Sequence, residues 1–224
     1  SHVVVGDLRP RRLLTFASPG WPGPTWHADE HEVRRWCRLV SEGLDVACDP
    51  DALDLAAPDV EPVVRDVAVV HPGAAFPGRR WPPERFAAVA RHLTAAGERV
   101  VVTGGPAERE LAAHVAQLAG LPDDAVLAGR TTSLELAAVI AAARVVVCGD
   151  TGVAHLATAY RRPSVVLFGP VSPALWGPPP RPQHRVLWHG DGTGDPHGTD
   201  LDPALAQVTV EEVTNALDDL LSRV

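Results

Sequence analysis

Short apolar runs alternate with helical patterns over most of the chain. The sequence predicts strands at residues 67–70, 99–103, 125–127, 145–148 and 164–168, with 185–188 as one more candidate. The spacing of apolar residues predicts helices at residues 83–97, 107–119, 133–142 and 152 to about 160. Because the strand runs are continuously apolar rather than alternating, they are typical of strands buried on both faces. The expected fold is therefore α/β, a Rossmann-like parallel sheet with helices on both faces.

The first 66 residues have a less regular pattern. Strands are predicted at residues 3–5 and 13–16, and a loop rich in proline and glycine at residues 18–24. Asp29 and Glu32 have the spacing of a helix start, and Gly43 predicts the end of that helix. The acidic residues 49–62 contain three prolines and predict a linker.

These patterns predict three parts of the chain. Thr209 and Glu212 have the spacing of a capping box, which predicts a last helix. We expect a partial N-terminal α/β segment with its linker at residues 1–66, a ligand-binding domain at residues 67–205, and a C-terminal helix at residues 206–224. The C-terminal helix is expected to pack back towards the N-terminal part.

Composition narrows the functional classes. The 224 residues are 46% apolar and carry 20 basic against 28 acidic side chains, a net charge of −8, which disfavours nucleic-acid binding. No apolar run approaches the roughly 18 residues of a membrane span, so we expect no membrane-spanning segment. An odd number of cysteines in an acidic, alanine-rich chain is typical of a cytoplasmic protein with reduced thiols. Cys37, Cys48 and Cys148 lack metal-type spacing, which predicts reduced thiols that mostly fill the core, and no bound metal. Because the chain begins with Ser1 and has no Met, we expect that it lacks part of its N-terminus.

The segments that follow the predicted strands are short and rich in glycine. In an open parallel sheet, ligands bind beyond the carboxyl ends of the strands, so these segments are expected to converge on one site. The candidate residues there, in strand order, are His71, Gly73 and Ala74 with Arg79 and Arg80; Gly104 and Gly105; Glu135; Asp150, Thr151, Gly152 and His155; and the string FGP at residues 168–170.

The string GDTGVAH at residues 149–155 suggests an anion site. The first N–H groups of a helix that starts there have no partners and attract negative charge. Thr151 adds a hydroxyl group, and Gly152 lets a ligand approach the backbone closely. Alternatively, Asp150 or Thr151 only caps the helix. His155 either faces a phosphate or packs inward as a core imidazole, and the sequence alone slightly favours the core.

Arg79, Arg80 and Glu135 add charge to the predicted site. Two negative charges develop when a pyrophosphate leaves a sugar, and arginine stabilises them where no metal does. At least one of the two adjacent arginines is expected to be a solvated loop residue. Glu135 either stabilises its helix, because a carboxylate in the first turn interacts favourably with the helix dipole, or accepts hydrogen bonds from the hydroxyls of a ribose. The sequence contains no acidic D-x-D cluster, and the Gly104–Gly105 pair does not form the G-x-G-x-x-G fingerprint of a dinucleotide site.

Taken together, these segments resemble the C-terminal half of the family-9 glycosyltransferases, whose best-known members are the ADP-heptose:lipopolysaccharide heptosyltransferases. The resemblance covers about residues 67–177. The matching strings are HPG at 71–73, RRWP at 79–82, GGP at 104–106, SLEL at 133–136, GDTGVAH at 149–155 and FGP at 168–170. The DTG-x-x-H part is the most specific of them.

The resemblance implies a two-domain GT-B fold and an inverting sugar transfer without a cofactor. Asp150, Thr151, Gly152 and His155 would hold the diphosphate and sugar of an ADP-linked donor. Arg79, where the family has Lys, would meet a phosphate with Arg80 beside it, and Glu135 would meet the ribose near Gly104 and Gly105. The acceptor would be a glycan or glycolipid, bound through an N-terminal domain that reaches the inner face of the cytoplasmic membrane.

The resemblance also implies that the general base, an Asp, lies upstream of Ser1. We therefore expect this chain to bind nucleotide and to transfer little sugar. Two other functions fit the residues: a non-catalytic nucleotide-binding or interaction domain, and a sugar-nucleotide epimerase of the same architecture. An epimerase needs acidic and histidine groups placed for proton abstraction, and the sequence has no clear set of them.

Overall fold

The computed structural model describes residues 9–223, and they form two compact units. The first consists of residues 9–52 together with 174–176, and the second of residues 53–173 and 177–223. The expected boundaries after residues 66 and 205 stay predictions.

The first unit contains helix α1, Glu32–Leu44. Its N-cap is His31, whose Nδ1 accepts a hydrogen bond from the Val33 N–H at 3.3 Å. The helix ends one residue after Gly43, and Asp45 adopts the left-handed conformation there, with φ of 55°. The strand predicted at residues 13–16 is wrong, because these residues form no strand. The strand predicted at residues 3–5 lies outside the described residues.

The second unit is built on a parallel sheet. Within residues 53–223 its strands are β1 Ala68–His71, β2 Val100–Val102, β3 Val145–Gly149, β4 Ser164–Leu167 and β5 His184–Leu187. Their order in the sheet is β2-β1-β3-β4-β5, and every neighbouring pair is parallel. The α/β parallel-sheet prediction is confirmed.

Helices connect and cover these strands. They are α2 Pro83–Ala95, α3 Arg109–Ala119, α4 Ser133–Ala141, α5 Gly152–Ala159, α7 Pro203–Gln207 and α8 Val210–Leu221. The four-residue helix α6, Pro173–Trp176, lies mostly in the first unit. Short 3-10 helices occur at Pro77–Arg79, Pro106–Glu108 and Asp123–Ala125. The capping box predicted for the last helix is present, because the Thr209 side chain accepts from the Glu212 N–H and the Glu212 carboxylate accepts from Thr209.

Both faces of the sheet are buried, as the continuously apolar strands predict. On one face Val70 and Val147 pack with Phe86 of α2 and Leu217 of α8. On the other face Val69 and Val146 pack with Ile140 of α4 and with α5. This two-sided burial leaves the ends of the strands as the places where polar groups reach solvent.

Two further predictions need correction. Residues 125–127 do not form a strand: a 3-10 helix ends at Ala125, and Val126 makes one isolated bridge to Val102. The 3-10 helix before Val126 and the turn at residues 128–129 leave too few extended residues for a ladder. Of the three cysteines, Cys148 is buried in the core, but Cys37 and Cys48 are half-buried and do not fill it.

Candidate functional site

The junction of β3 and α5 presents an open helix start at the carboxyl edge of the sheet. β3 ends at Gly149 and α5 begins at Gly152. Thr151 occupies the N-cap position with extended backbone, but its side chain makes no capping hydrogen bond. A Cβ atom added to Gly152 would meet nothing within 4 Å. The interpretation of Thr151 as the cap is therefore wrong, and packing gives no reason for glycine at position 152.

Arg79 and Asp150 meet beside this helix start. Arg79 Nη2 lies 2.7 Å from Asp150 Oδ2 and also donates to the Asp150 carbonyl oxygen. The Asp150 side chain is 10% exposed and that of Arg79 22% exposed. Burial raises the pKa of Asp150, while the positive charges of Arg79 and His155 act in the opposite direction. Within residues 9–223, Arg79 Nη1 and Nε have no hydrogen-bond acceptor, so the guanidinium is anchored at one nitrogen and keeps donors for a ligand.

A glycine-rich loop, residues 189–202, holds the backbone next to Arg79. The Gly78 N–H donates to the Gly198 carbonyl at 2.9 Å, and the Asp202 N–H donates to the Gly78 carbonyl at 3.1 Å. A Cβ atom on Gly78 would lie 2.9 Å from the carbonyl oxygens of Gly198 and Asp200, so the close approach requires glycine. This loop therefore fixes the position from which the Arg79 side chain starts.

The loops after β1 and β2 are joined through Glu108. Its Oε2 accepts a hydrogen bond from the Gly105 N–H at 2.7 Å. A Cβ atom on Gly73 would lie 2.0 Å from Glu108 Oε1, and one on Gly104 would lie 3.1 Å from Glu108 Cβ. The sequence pattern places Gly104, Gly105 and Glu108 near one another, but their packing against Gly73 is visible only in the structure.

The start of the loop after β1 is also buried and tied. His71 Nδ1 lies 3.0 Å from Thr103 Oγ1. Burial lowers the pKa of His71, and the nearby Glu108 charge partly offsets this. The Arg80 side chain donates to the Ala74 carbonyl at 2.9 Å, so it holds this loop.

Glu135 and His155 are placed differently from the core of the site. Glu135 forms a capping box at the start of α4: its Oε2 accepts from the Thr132 N–H at 2.7 Å and from the Thr132 hydroxyl at 2.9 Å. These bonds lower the pKa of Glu135. His155, one turn into α5, is exposed. The inclination to place His155 in the core is therefore wrong, because its side of α5 is open to solvent.

Two classes of site are absent from the described part of the chain. No group of three or more His, Cys, Asp or Glu side chains within residues 9–223 is arranged to hold a metal ion. No helix in the same range has the length and apolar composition needed to cross a membrane.

Comparison with known proteins places these observations in a family. The model of "Glycosyltransferase family 9 (heptosyltransferase)" matches residues 25–195, which is more than half of the chain. Lipopolysaccharide heptosyltransferase 2 of Salmonella typhimurium is 33% identical over 162 residues, covering 67% of this chain and 45% of that protein. Lipopolysaccharide heptosyltransferase 1 of Pseudomonas aeruginosa is 32% identical over 154 residues, covering 66% and 42%. The chain thus spans somewhat less than half the length of these relatives.

The fold has similar solved structures. The structure of Escherichia coli ADP-heptose lipopolysaccharide heptosyltransferase II superposes with a TM-score of 0.61 at 27% identity. The match covers 96% of this chain and 56% of that one.

Proposed function

Because the chain belongs to glycosyltransferase family 9, the heptosyltransferases, we propose that the protein transfers a sugar from a nucleoside-diphosphate sugar to an acceptor hydroxyl. The proposed donor is ADP-linked, with heptose as the sugar, since the similar E. coli structure is that of an ADP-heptose heptosyltransferase. The proposed acceptor is a glycan or glycolipid, in keeping with relatives that are lipopolysaccharide heptosyltransferases. We place this reaction in the cytoplasm, at the inner face of the membrane when the acceptor is a glycolipid.

The observation that carries the proposal is an anchored arginine beside an open helix start. As the bond between the sugar and the diphosphate breaks, negative charge develops on the departing phosphate. The unpaired Nη1 and Nε of Arg79 supply charge-assisted hydrogen bonds to that phosphate. The free N–H groups at the start of α5, next to Thr151 and Gly152, supply backbone donors on the positive end of the helix dipole.

Asp150 acts mainly by orienting Arg79. Its carboxylate and its carbonyl oxygen both bind Arg79 Nη2, so the plane of the guanidinium is held before the ligand arrives. Preorganised charge of this kind stabilises a transition state without reorganisation during the reaction. His155, exposed one turn into α5 and close enough to influence the charge of Asp150, adds a second donor towards the sugar phosphate. The acceptor hydroxyl attacks the anomeric carbon from the face opposite the diphosphate as the bond from that carbon to the diphosphate breaks, so the anomeric configuration inverts. The proton of the hydroxyl passes to a general base that is not among the site residues described above.

The nucleoside is proposed to lie along the neighbouring strand ends. Gly104 and Gly105 follow β2, and His71, Gly73 and Ala74 lead out of β1, which is adjacent to β3 in the sheet. Glu108 packs against Gly73 and Gly104, but a Cβ atom on Gly105 would come no closer than 3.6 Å to Glu108 Oε2, so Gly105 lets a flat base approach the backbone. Glu135 uses Oε2 for its helix cap, and Oε1 is left to accept a hydrogen bond from a ribose hydroxyl.

Calorimetric titration of ADP, UDP, GDP and AMP tests the proposal. We expect ADP to bind, and Arg79→Ala to weaken ADP affinity by about ten- to a hundredfold, the loss of one charge-assisted contact of about 1.5–3 kcal/mol. Because AMP lacks the second phosphate, its affinity should fall less than that of ADP when Arg79 is replaced by alanine.

Arg144→Ala is the matched control. Arg144 precedes β3 at the opposite edge of the sheet and pairs with Glu98 at 2.9 Å. Like Arg79, it is therefore the arginine of an arginine–carboxylate pair at one end of β3. Its removal should leave ADP affinity unchanged. Folded protein that binds none of the nucleoside diphosphates would overturn the proposed function.

A further inference from the structure

A cavity of about 390 Å³ opens beyond the carboxyl ends of β4 and β5, outside the contacts described above for Arg79 and α5. Its walls come from the turn after β4, the glycine-rich loop and helix α7. The lining residues with polar side chains are His189, Asp191, Thr193, Asp202 and Gln207. A volume of this size is within the range of small-molecule sites, roughly 300–1,000 Å³.

Asp202 contributes a buried carboxylate with an unused oxygen. The residue is 9% exposed. Oδ1 accepts from the Ala204 N–H at 2.9 Å and the Leu205 N–H at 3.3 Å, which caps α7. Oδ2 accepts no hydrogen bond from residues 9–223, although Asp202 lines the cavity. Oδ2 keeps solvent access although the residue is mostly buried, so it can accept a hydrogen bond from a ligand in the cavity or from water.

The loop is shaped to bring its backbone onto that carboxylate. A Cβ atom on Gly194 would lie 2.5 Å from Asp202 Oδ2 and 2.7 Å from Pro170 Cα, so only glycine fits. Gly190 is restricted in the same way, since its Cβ atom would lie 2.4 Å from Trp188 Nε1. At both glycines the backbone of the loop packs closely against the residues that line the cavity.

The other polar groups of the cavity are mostly acceptors. Asp191 accepts from the N–H and the hydroxyl of Thr193, and these bonds lower its pKa, so it is ionised. The Gln207 amide NH₂ donates to the Pro203 carbonyl, and the side-chain carbonyl oxygen of Gln207 is left to accept a hydrogen bond from a ligand. His189 Nε2 is paired with Glu212 at 2.8 Å.

This chemistry selects among ligand classes. Two carboxylates repel a phosphate or carboxylate ligand. A metal ion is disfavoured because no cluster of three metal-type ligands occurs in the described range. Neutral hydroxyl groups satisfy the free carboxylate and amide oxygens, and each can also accept from a backbone N–H.

We propose that this cavity binds the hydroxyl groups of a neutral sugar ring. The choice of a sugar over other polyols rests on the proposed function. Two sources share this chemistry: a sugar residue of the acceptor, and the outer part of the donor's sugar. β4 lies next to β3, and neighbouring strands are about 5 Å apart, so the cavity is within reach of a donor held at α5.

Saturation-transfer NMR with methyl α-D-mannopyranoside, on protein saturated with ADP, tests for the acceptor source. Calorimetry that compares ADP-glucose with ADP tests for the donor source. Asp202→Asn is the decisive variant, because asparagine caps a helix as well as aspartate but presents an NH₂ group or a neutral oxygen in place of Oδ2. We expect Asp202→Asn to weaken glycoside binding, or the advantage of ADP-glucose over ADP, at least tenfold. The variant keeps the backbone N–H of residue 202 that donates to the Gly78 carbonyl, so the position of Arg79 is retained and ADP affinity should be unchanged.

A second variant and a control complete the design. Ala204→Leu fills the cavity and should abolish the same signal. Asp195→Asn removes an exposed carboxylate from the same loop that does not line the cavity, and it should have no effect. If neither sugar probe binds, or if Asp202→Asn and Ala204→Leu bind both as the native chain does, the inference is overturned. ADP binding by the native chain is measured separately, so failure here is distinct from failure of the proposed function.

Discussion

Replacement of Arg79 by alanine leaves the Asp150 carboxylate in a largely dry position without its cation. A fully buried pair that loses one partner destabilises a protein by about 3–5 kcal/mol, whereas an exposed pair contributes about 0–1 kcal/mol. With exposures of 10% and 22%, the Arg79–Asp150 pair is nearer the buried limit. We expect Arg79→Ala to lower the free energy of unfolding by about 2–3 kcal/mol at pH 7, measured by urea unfolding followed by circular dichroism.

The pH dependence gives this prediction its direction. Burial already raises the pKa of Asp150 with Arg79 present, and loss of Arg79 raises it further. A carboxyl group with a raised pKa in the folded state favours folding at low pH, and that contribution is lost as pH rises above its unfolded pKa, about 3.9. The deficit of Arg79→Ala should therefore be small near pH 4 and grow towards pH 7.

A double-mutant cycle isolates the cause. Asp150→Asn in the Arg79→Ala background removes the stranded charge, so it should restore at least half of the lost stability and flatten the pH dependence. Arg65→Ala is the exposed control: Arg65 pairs with Glu61, but their side chains are 54% and 81% exposed, and we expect less than about 0.5 kcal/mol. The reasoning is refuted if Arg79→Ala is as mild as Arg65→Ala, or if Asp150→Asn restores nothing.

Three other outcomes follow from single positions. Gly78→Ala forces a Cβ atom against two carbonyl oxygens, so it should lower the free energy of unfolding by about 1–3 kcal/mol and weaken ADP binding. Gly152→Ala places its Cβ atom in open space, so it should weaken ADP binding in calorimetry without lowering the thermal midpoint. Burial lowers the pKa of His184 to about 4, so this histidine should contribute a loss of up to about 3 kcal/mol of stability as pH falls from about 6.5 to 4. In urea titrations His184→Asn should lose less stability than the native protein over that range, and the remaining loss comes from other buried groups such as His71. Thr209→Ala removes the cap of α8 and should lower the unfolding free energy by about 1 kcal/mol, with Thr214→Ala, on the same helix, as the milder comparison.

Local patterns predicted most of the sheet-bearing unit. In runs such as residues 145–148 every side chain is apolar, so both faces of the strand are apolar, and the structure buries both faces. The Thr209–Glu212 pair is read directly from spacing because a capping box involves only four consecutive residues. The predicted bounds of the helix from Gly152 and of the candidate strand at residues 185–188 differ from those in the structure by one residue at most.

Long-range contacts explain what the sequence did not show. Residues 13–16 are apolar enough for a strand, but a strand needs a hydrogen-bonding neighbour, and among residues 9–223 they pair with none. Helix α7 exists because the Asp202 side chain caps it within a loop whose composition predicts no helix. The Arg79–Asp150 pair joins residues 71 positions apart, and its geometry depends on the register of the whole sheet.

The two ends of β3 show why the proposed diphosphate site lies at one edge of the sheet and not at the other. An arginine–carboxylate pair lies at each end: Arg79 with Asp150 after the strand, and Arg144 with Glu98 before it. In a parallel sheet the helix that follows each strand begins at the carboxyl edge, so positive helix ends gather there and negative ends gather at the other. α5 begins beside Asp150, whereas α4 ends shortly before Arg144. An anion is therefore attracted towards Arg79, and an arginine of the same charge at the other end of the strand serves only its own ion pair.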